Sequence, residues 1–259
     1  MSVLGVMPVY VKDQRTYELT LTAASSFFAT TPLNRLYDPG LLLVDDGSPD
    51  RDAVEALFEG GFAIGERPEN LGFAKTVNEG LSLALGTGHD ALLVNADMEF
   101  SDNGWLEAML DTDADIVGSK LLYPSGLVQH AGIYYSFYTR LFSHIGRFAP
   151  ADTPELNVER ECPVTGALML IRHHVLEKIG LFDETFGFGF EDVDYCLTAI
   201  QAGLKVVYQP KAVALHHESA FRGPKPPDWI KERMDQSWNY FQEKHAGTDI
   251  ASLVPTLLD

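Results

Sequence analysis

Along the first 120 residues, short apolar runs alternate with longer stretches in which apolar residues recur every three or four positions. Residues 3–9 (interrupted by Pro8), 40–44, 62–65, 91–94 and 115–118 have the length and composition of buried strands. Between them the period predicts helices over about 17–30, over 49–59 with Ser48 as N-cap and Pro49 at N1, from Asn70 with Val77, Leu81 and Leu85 on one face, and over 105–110. Uninterrupted apolar strands that alternate with helices predict a mostly parallel sheet covered on both faces, an α/β fold. Ligands of such sheets bind beyond the carboxyl ends of the strands. Two of those ends carry acids here, Asp45-Asp46 and Asp97.

The pattern changes after residue 120. Residues 120–147 are dense in tyrosine, histidine and glycine, including Gln129-His130 and Tyr134-Tyr135, and read as antiparallel strands or a long loop over one end of the sheet. A surface linker at 150–154, a strand at 164–171 and a short helix at 174–179 follow. The Gly-aromatic run Phe186-Gly187-Phe188-Gly189-Phe190 then leads into Glu191-Asp192-Val193-Asp194. Val193, Cys196, Leu197 and Ile200 form an apolar stripe on a helix that stops at Gly203. At about 100° per residue, Glu191 points away from that stripe, Asp194 lies well off it and Asp192 sits at its border. A border carboxylate is held by packing and still faces a cleft. An apolar run ends at His216-His217; strand alternation lets only one of the two face a site. A proline- and lysine-bearing loop at 222–227 precedes a helix over 229–244 whose Trp229, Trp238 and Tyr240 either cap the core or meet a partner.

Composition narrows the function classes. A chain of 259 residues with 46% hydrophobic content can bury a large core, and its formal charge of -18 makes nucleic acid an unsuitable partner. That charge also opposes broad binding to an anionic membrane. Two cysteines, Cys162 and Cys196, give no disulfide framework and no zinc motif, which fits a reducing cytoplasm. No run approaches the roughly 20 apolar residues of a spanning helix. The expectation is a cytoplasmic protein, at most peripheral at a membrane.

Asp45-Asp46-Gly47-Ser48 after a strand, Asn70-x-Gly72-Phe73-Ala74-x-x-x-Asn78, Leu93-Val94-Asn95-Ala96-Asp97, Thr165-Gly166-Ala167, Phe182-Asp183-Glu184, Gly189-Phe190-Glu191-Asp192-x-Asp194 and His216-His217 come in that order. Together they resemble the family 2 glycosyltransferases of GT-A fold, in the rhamnosyltransferase-like branch, over about residues 3–220. The resemblance implies one GT-A domain over 1–259. Its nucleotide-binding half would be 1–119, its acceptor-binding and catalytic half 120–220, and its C-terminal loop and helix 221–259.

The resemblance also implies roles. Asp192 would be the base that deprotonates an acceptor hydroxyl, since such a hydroxyl attacks poorly unaided, and Glu191 would hold the acceptor. Gly166, Gly189 and Phe190 would line the acceptor side. Pro8, Tyr10, Asp46 and Asn95 would meet the nucleotide, with Pro8 acting only through backbone or packing. Gly72 and Lys75 would face it too, unless Lys75 is a solvated helical lysine. Mn²⁺ or Mg²⁺ would be held by Asp97 and His216; the family's Asp-x-Asp here reads Asn95-Ala96-Asp97, so one anionic ligand remains. The implied partners are a nucleotide-diphosphate sugar and a saccharide or lipid-linked saccharide. A Gln-x-x-Arg-Trp motif of processive synthases is absent, so transfer of one sugar, or few, is expected. Two rivals remain: a catalytically silent nucleotide-sugar or carbohydrate binder, favoured by Asn95, and a sugar-nucleotide nucleotidyltransferase. The second would need a Gly-rich, Arg-bearing phosphate loop where Met7-Pro8-Val9-Tyr10-Val11-Lys12 stands.

Overall fold

The computed structural model describes residues 2–31, 40–218 and 228–257; the loop expected at 222–227 lies outside them. In chain order the first half contains β1 (Val3–Val9), α1 (Gln14–Thr30), β2 (Gly40–Asp45), α2 (Arg51–Glu59), β3 (Ala63–Gly65), α3 (Phe73–Thr87), β4 (Asp90–Val94), β5 (Met98–Glu99), α4 (Trp105–Leu110) and β6 (Ile116–Leu122). The second half contains β7 (Val128–His130), β8 (Ile133–Ser136), β9 (Leu141–His144), β10 (Arg160–Glu161), β11 (Leu168–Ile171), α5 (His173–Ile179), α6 (Glu191–Gln201), β12 (Val206–His216), α7 (Asp228–Lys244), α8 (Ile250–Leu253) and β13 (Thr256–Leu257).

The main sheet runs β10-β12-β6-β11-β4-β1-β2-β3, with β5 on β12 and β7 on β6. Strands β3, β2, β1 and β4 pair in parallel, as do β6 and β12; β11 runs antiparallel between β4 and β6. A small second sheet has the order β13-β8-β9. The expected α/β architecture with a smaller antiparallel portion is thus what the chain adopts.

Period-2 alternation puts a core on each face of the sheet. In β4, Ala91 and Leu93 join one apolar layer with α3, α5 and α6, while Leu92 and Val94 join the other with α1, α2 and α4. A third cluster, Phe186, Val193, Leu197 and Phe241 among its members, packs α6 against α7 and the small sheet. Helix α6 is therefore covered on two sides. Asp194, off the apolar stripe, is covered as well: it is only 3% exposed, accepts from His245 Nε2 at 2.9 Å and pairs with Lys244 Nζ at 2.9 Å.

Three boundaries differ for local reasons. Helix α2 is capped by Asp50, whose side chain accepts from Ala53 N–H, rather than by Ser48. Ser48 Oγ instead accepts from Val11 N–H at 2.7 Å, tying the β1 and β2 ends together. Helix α1 starts three residues early because Asp13 and Thr16 form a capping box. Strand β11 starts at Leu168, which leaves Val164 in the core and 165–167 as a turn facing the functional cavity.

Candidate functional site

A cavity of about 500 Å³ opens at the carboxyl rim of the parallel strands. Its lining includes Pro8 and Tyr10 from the end of β1, Asp46 after β2, Asn95 and Asp97 after β4, and His216 at the end of β12. The opposite side supplies Thr165, Gly166, Gly189, Phe190, Glu191 and Asp192. Two acids 95 positions apart in sequence, Asp97 and Asp192, thus face one space. Gly72 and Lys75 are not in that lining.

The β2 end shows why two consecutive acids occur there. Asp45 is fully buried and structural: its Oδ1 accepts from Ser48 N–H at 3.0 Å and its Oδ2 from Arg51 at 2.7 Å. Asp46 faces the cavity, and its two oxygens accept from Leu71 N–H at 2.7 Å and Gly72 N–H at 3.1 Å. Gly47 between Asp46 and Ser48 has φ +68, and a Cβ there would run into the Glu69-Asn70 backbone. Gly72 therefore acts by orienting Asp46. Lys75 is half-buried on α3, outside the cavity.

At the β4 end, Asn95 N–H donates to Ala167 O at 2.9 Å, while Asn95 Oδ1 is buried with no hydrogen-bond partner among the described residues. A buried, unpaired carbonyl oxygen costs about 1–3 kcal/mol, so this atom is set to receive a donor from a ligand. Asp97, 5% exposed, lies 3.1 Å through Oδ1 from His216 Nε2. The next residue, His217, faces the other side of the strand and pairs with Glu99 at 3.0 Å.

Gln129 fixes the state of His216. Its Nε2 donates to His216 O at 3.4 Å, which leaves its Oε1 2.6 Å from His216 Nδ1. Nδ1 therefore carries a proton, and Nε2 is the ring nitrogen turned toward Asp97. In that tautomer Nε2 and the Asp97 carboxylate are close enough to share either a proton or a cation. An orienting acceptor on the remote nitrogen is the usual support of a metal-binding histidine. Among the described residues no group of three acids, histidines or cysteines could hold a metal alone, so a cation on this pair would need further ligands from water or a bound molecule.

Charge gives a second reason for a cation. Asp46, Asp97, Glu191, Asp192 and Glu218 all line the cavity, and among the described lining residues there is no lysine or arginine. A polyanionic ligand entering that field needs a positive ion with it.

The far wall holds Asp192 from two backbone donors. Gly166 N–H reaches Oδ2 at 3.1 Å and Val193 N–H reaches Oδ1 at 2.8 Å. Two residues before it, at the helix N-cap, Phe190 adopts φ +72, a left-handed conformation that costs a non-glycine residue about 1–2 kcal/mol. Its ring is held against Trp238 at 5.1 Å and Phe241 at 5.9 Å. Phe186 packs on Tyr240, and Phe188 N–H donates to Ser237 Oγ at 3.1 Å. Of the C-terminal aromatics, Trp238 and Tyr240 thus support the Gly-aromatic loop, whereas Trp229 is 51% exposed. Gln129, His144, Thr165 and Glu218 also line the cavity without a signal in the hydrophobic pattern.

The chain matches two family models end to end: Glycosyl transferase family 2 over residues 6–128 and Glycosyltransferase like family 2 over residues 129–244. It is 32% identical over 166 residues to the O-antigen biosynthesis protein RfbC of Myxococcus xanthus, covering 59% of this chain and 13% of that much longer protein. It is 26% identical over 247 residues to the N-acetylglucosaminyl-diphospho-decaprenol L-rhamnosyltransferase of Mycobacterium tuberculosis, covering 85% of this chain and 80% of the relative. Among solved structures, GalNAc-T7 with UDP, GalNAc and Mn²⁺ superposes with a TM-score of 0.61 at 15% identity, over 100% of this chain and 59% of the other. That likeness extends the agreement to the GT-A fold. No helix among the described residues is long and apolar enough to cross a membrane.

Proposed function

The chain belongs to glycosyltransferase family 2 and has its GT-A fold, and from that premise we propose an inverting transferase acting on a nucleoside diphosphate sugar. It moves one sugar, or few, to a hydroxyl of a saccharide or lipid-linked saccharide in cell-surface polysaccharide or glycoconjugate synthesis. The observation that carries this reading is the shared cavity of Asp97 and Asp192. A lipid-linked acceptor would bring a cytoplasmic enzyme to the membrane face.

In this reading Asp192 takes the proton of the acceptor hydroxyl as that oxygen attacks the anomeric carbon. The new C–O bond forms on the face opposite the diphosphate, whose C–O bond breaks, so the configuration inverts. Gly166 and Val193 N–H groups hold the carboxylate in place for this. Glu191 binds the acceptor beside it, and Gly189 and Phe190 shape that wall. Pro8, Tyr10 and Asp46 receive the base and ribose, and the unpaired Asn95 Oδ1 accepts from a ribose hydroxyl. Asp97 and His216 hold Mn²⁺ or Mg²⁺, which supplies the positive charge that a departing nucleoside diphosphate needs.

A thermal-shift screen of UDP, GDP and dTDP and their sugars with Mn²⁺, followed by proton NMR of the product's anomeric centre, tests the proposal. Stabilisation by one nucleotide sugar and an inverted product are expected. A retained configuration overturns the mechanism. Donor binding with neither hydrolysis nor transfer makes the protein a silent binder. Pyrophosphate release from a sugar phosphate and a nucleoside triphosphate makes it a nucleotidyltransferase.

A further inference from the structure

His130 and His144 form a pair that neither the motifs nor the mechanism above uses. His130, on β7, is fully buried; His144, on β9, is half-buried and lines the cavity. Their Nδ1 atoms are 2.7 Å apart, so one carries the proton and the other accepts it. Thr165 N–H donates to His130 Nε2 at 3.5 Å, which makes that nitrogen the acceptor of the ring. His130 is then protonated on Nδ1, His144 accepts on Nδ1, and the proton of His144 sits on Nε2.

The adjoining amide, Gly166 N–H, is the one that holds Asp192. One turn thus fixes the tautomer of a histidine pair through Thr165 and the orientation of a carboxylate through Gly166. A second proton on the pair would set two N–H groups against each other or expel Thr165 N–H from His130. Burial and the mutual repulsion of the rings push the His130 pKa well below its ordinary value. Burial also lowers that of His144, against the pull of Asp192 and Glu218 and with the push of Arg147 and His216.

The neighbouring wall is rich in groups that only accept: Glu191, Asp192 and Glu218. A sugar hydroxyl that points its proton at a carboxylate still has lone pairs to satisfy. We propose that His144 is an acceptor-binding residue whose Nε2–H donates to the acceptor saccharide, and that His130 is a positioning residue that keeps that proton on Nε2. This deepens the transferase reading and rests on it.

Long-range proton–nitrogen NMR of the full chain labelled at histidine is the test, with assignments from His144→Gln and His130→Gln. The expected spectrum has His130 protonated on Nδ1 and His144 on Nε2 throughout pH 6–8. The reverse tautomers, or an imidazolium in that range, overturn the proposal. The same spectra are then titrated with octyl glycosides of glucose, galactose, mannose and N-acetylglucosamine in the presence of UDP and Mn²⁺. At least one should shift His144 Nε2, and no shift with any of them overturns the proposal. With a glycoside that accepts sugar, His144→Ala should raise its KM about threefold to tenfold, the worth of one neutral hydrogen bond, and His144→Gln should recover most of that. Wild-type protein that transfers to a glycoside while His144→Ala keeps the same glycoside KM sinks this inference alone. Wild-type protein that binds no nucleotide sugar sinks the transferase reading beneath it.

Discussion

The side-chain amide of Asn78 pairs with the main chain of Phe182 in both directions. Nδ2 donates to Phe182 O at 2.9 Å, and Phe182 N–H donates to Oδ1 at 3.0 Å. Both partners are buried, and the pair joins α3 to the segment that precedes the Gly-aromatic loop. Asn78→Leu strands two backbone groups and should cost about 2–4 kcal/mol of stability, measured by urea unfolding. A loss within a few tenths of wild type would mean that water replaces the amide there.

Asp192→Asn keeps the shape of the side chain and removes its basicity. The variant gives up one of the two backbone hydrogen bonds to this side chain and should lose about 1–3 kcal/mol of stability, while transfer falls at least roughly a hundredfold in the folded protein, the low end for loss of a general base. Near-normal turnover would take Asp192 out of the mechanism.

Gln129 should matter to a cation that it never touches. Gln129→Leu frees His216 to change tautomer and should weaken Mn²⁺-dependent donor binding about 10–100-fold, the usual effect of removing a supporting partner. Asp97→Ala should abolish it. Calorimetry of UDP binding with and without Mn²⁺ reads both; equal metal dependence in wild type and Asp97→Ala would exclude this pair as the cation site.

Acid should weaken the fold through the buried histidines. His130 and His144 are pushed below the ordinary value of 6.5, so the unfolded chain takes up protons that the folded chain refuses. Stability then rises with pH. It is at its full value above about 6.5 and declines as pH falls from there toward the folded values. His130→Gln should flatten that slope in thermal melts between pH 7 and 5; an unchanged slope would assign the acid sensitivity to other groups.

The parts of this site that the sequence made legible are those written in local chemistry. Acids that terminate apolar runs, such as Asp46 and Asp97, can only lie at a strand's carboxyl rim, and a helical angle put Asp192 at a packing border. The wheel put Asp194 off the apolar stripe but could not show its burial, because α7 covers a second face of α6. Ser48 looked like a cap, since its pull on Val11 N–H is a contact 37 residues away in sequence. Lys75 followed a motif but lies outside the cavity. Gln129, His130 and His144 gave no periodic signal, because their partners are other polar groups brought together by the turn at 165–167 and the end of β12.

Strand β11 enters the sheet head-first where its neighbours β4 and β6 leave it, and this inverted central lane decides where the protein tolerates engineering. A residue added between Thr165 and Leu168 would slide β11 by one step and swap its two faces, so the reaction chamber and the core would be damaged together. The turn between α4 and β6 lies at the opposite end of the strands. A fluorescent label on its exposed Asp113 would leave the chamber's geometry alone, whereas Thr112 and Asp115 beside it are tied to Gln209, Arg172 and His174 and would not tolerate one.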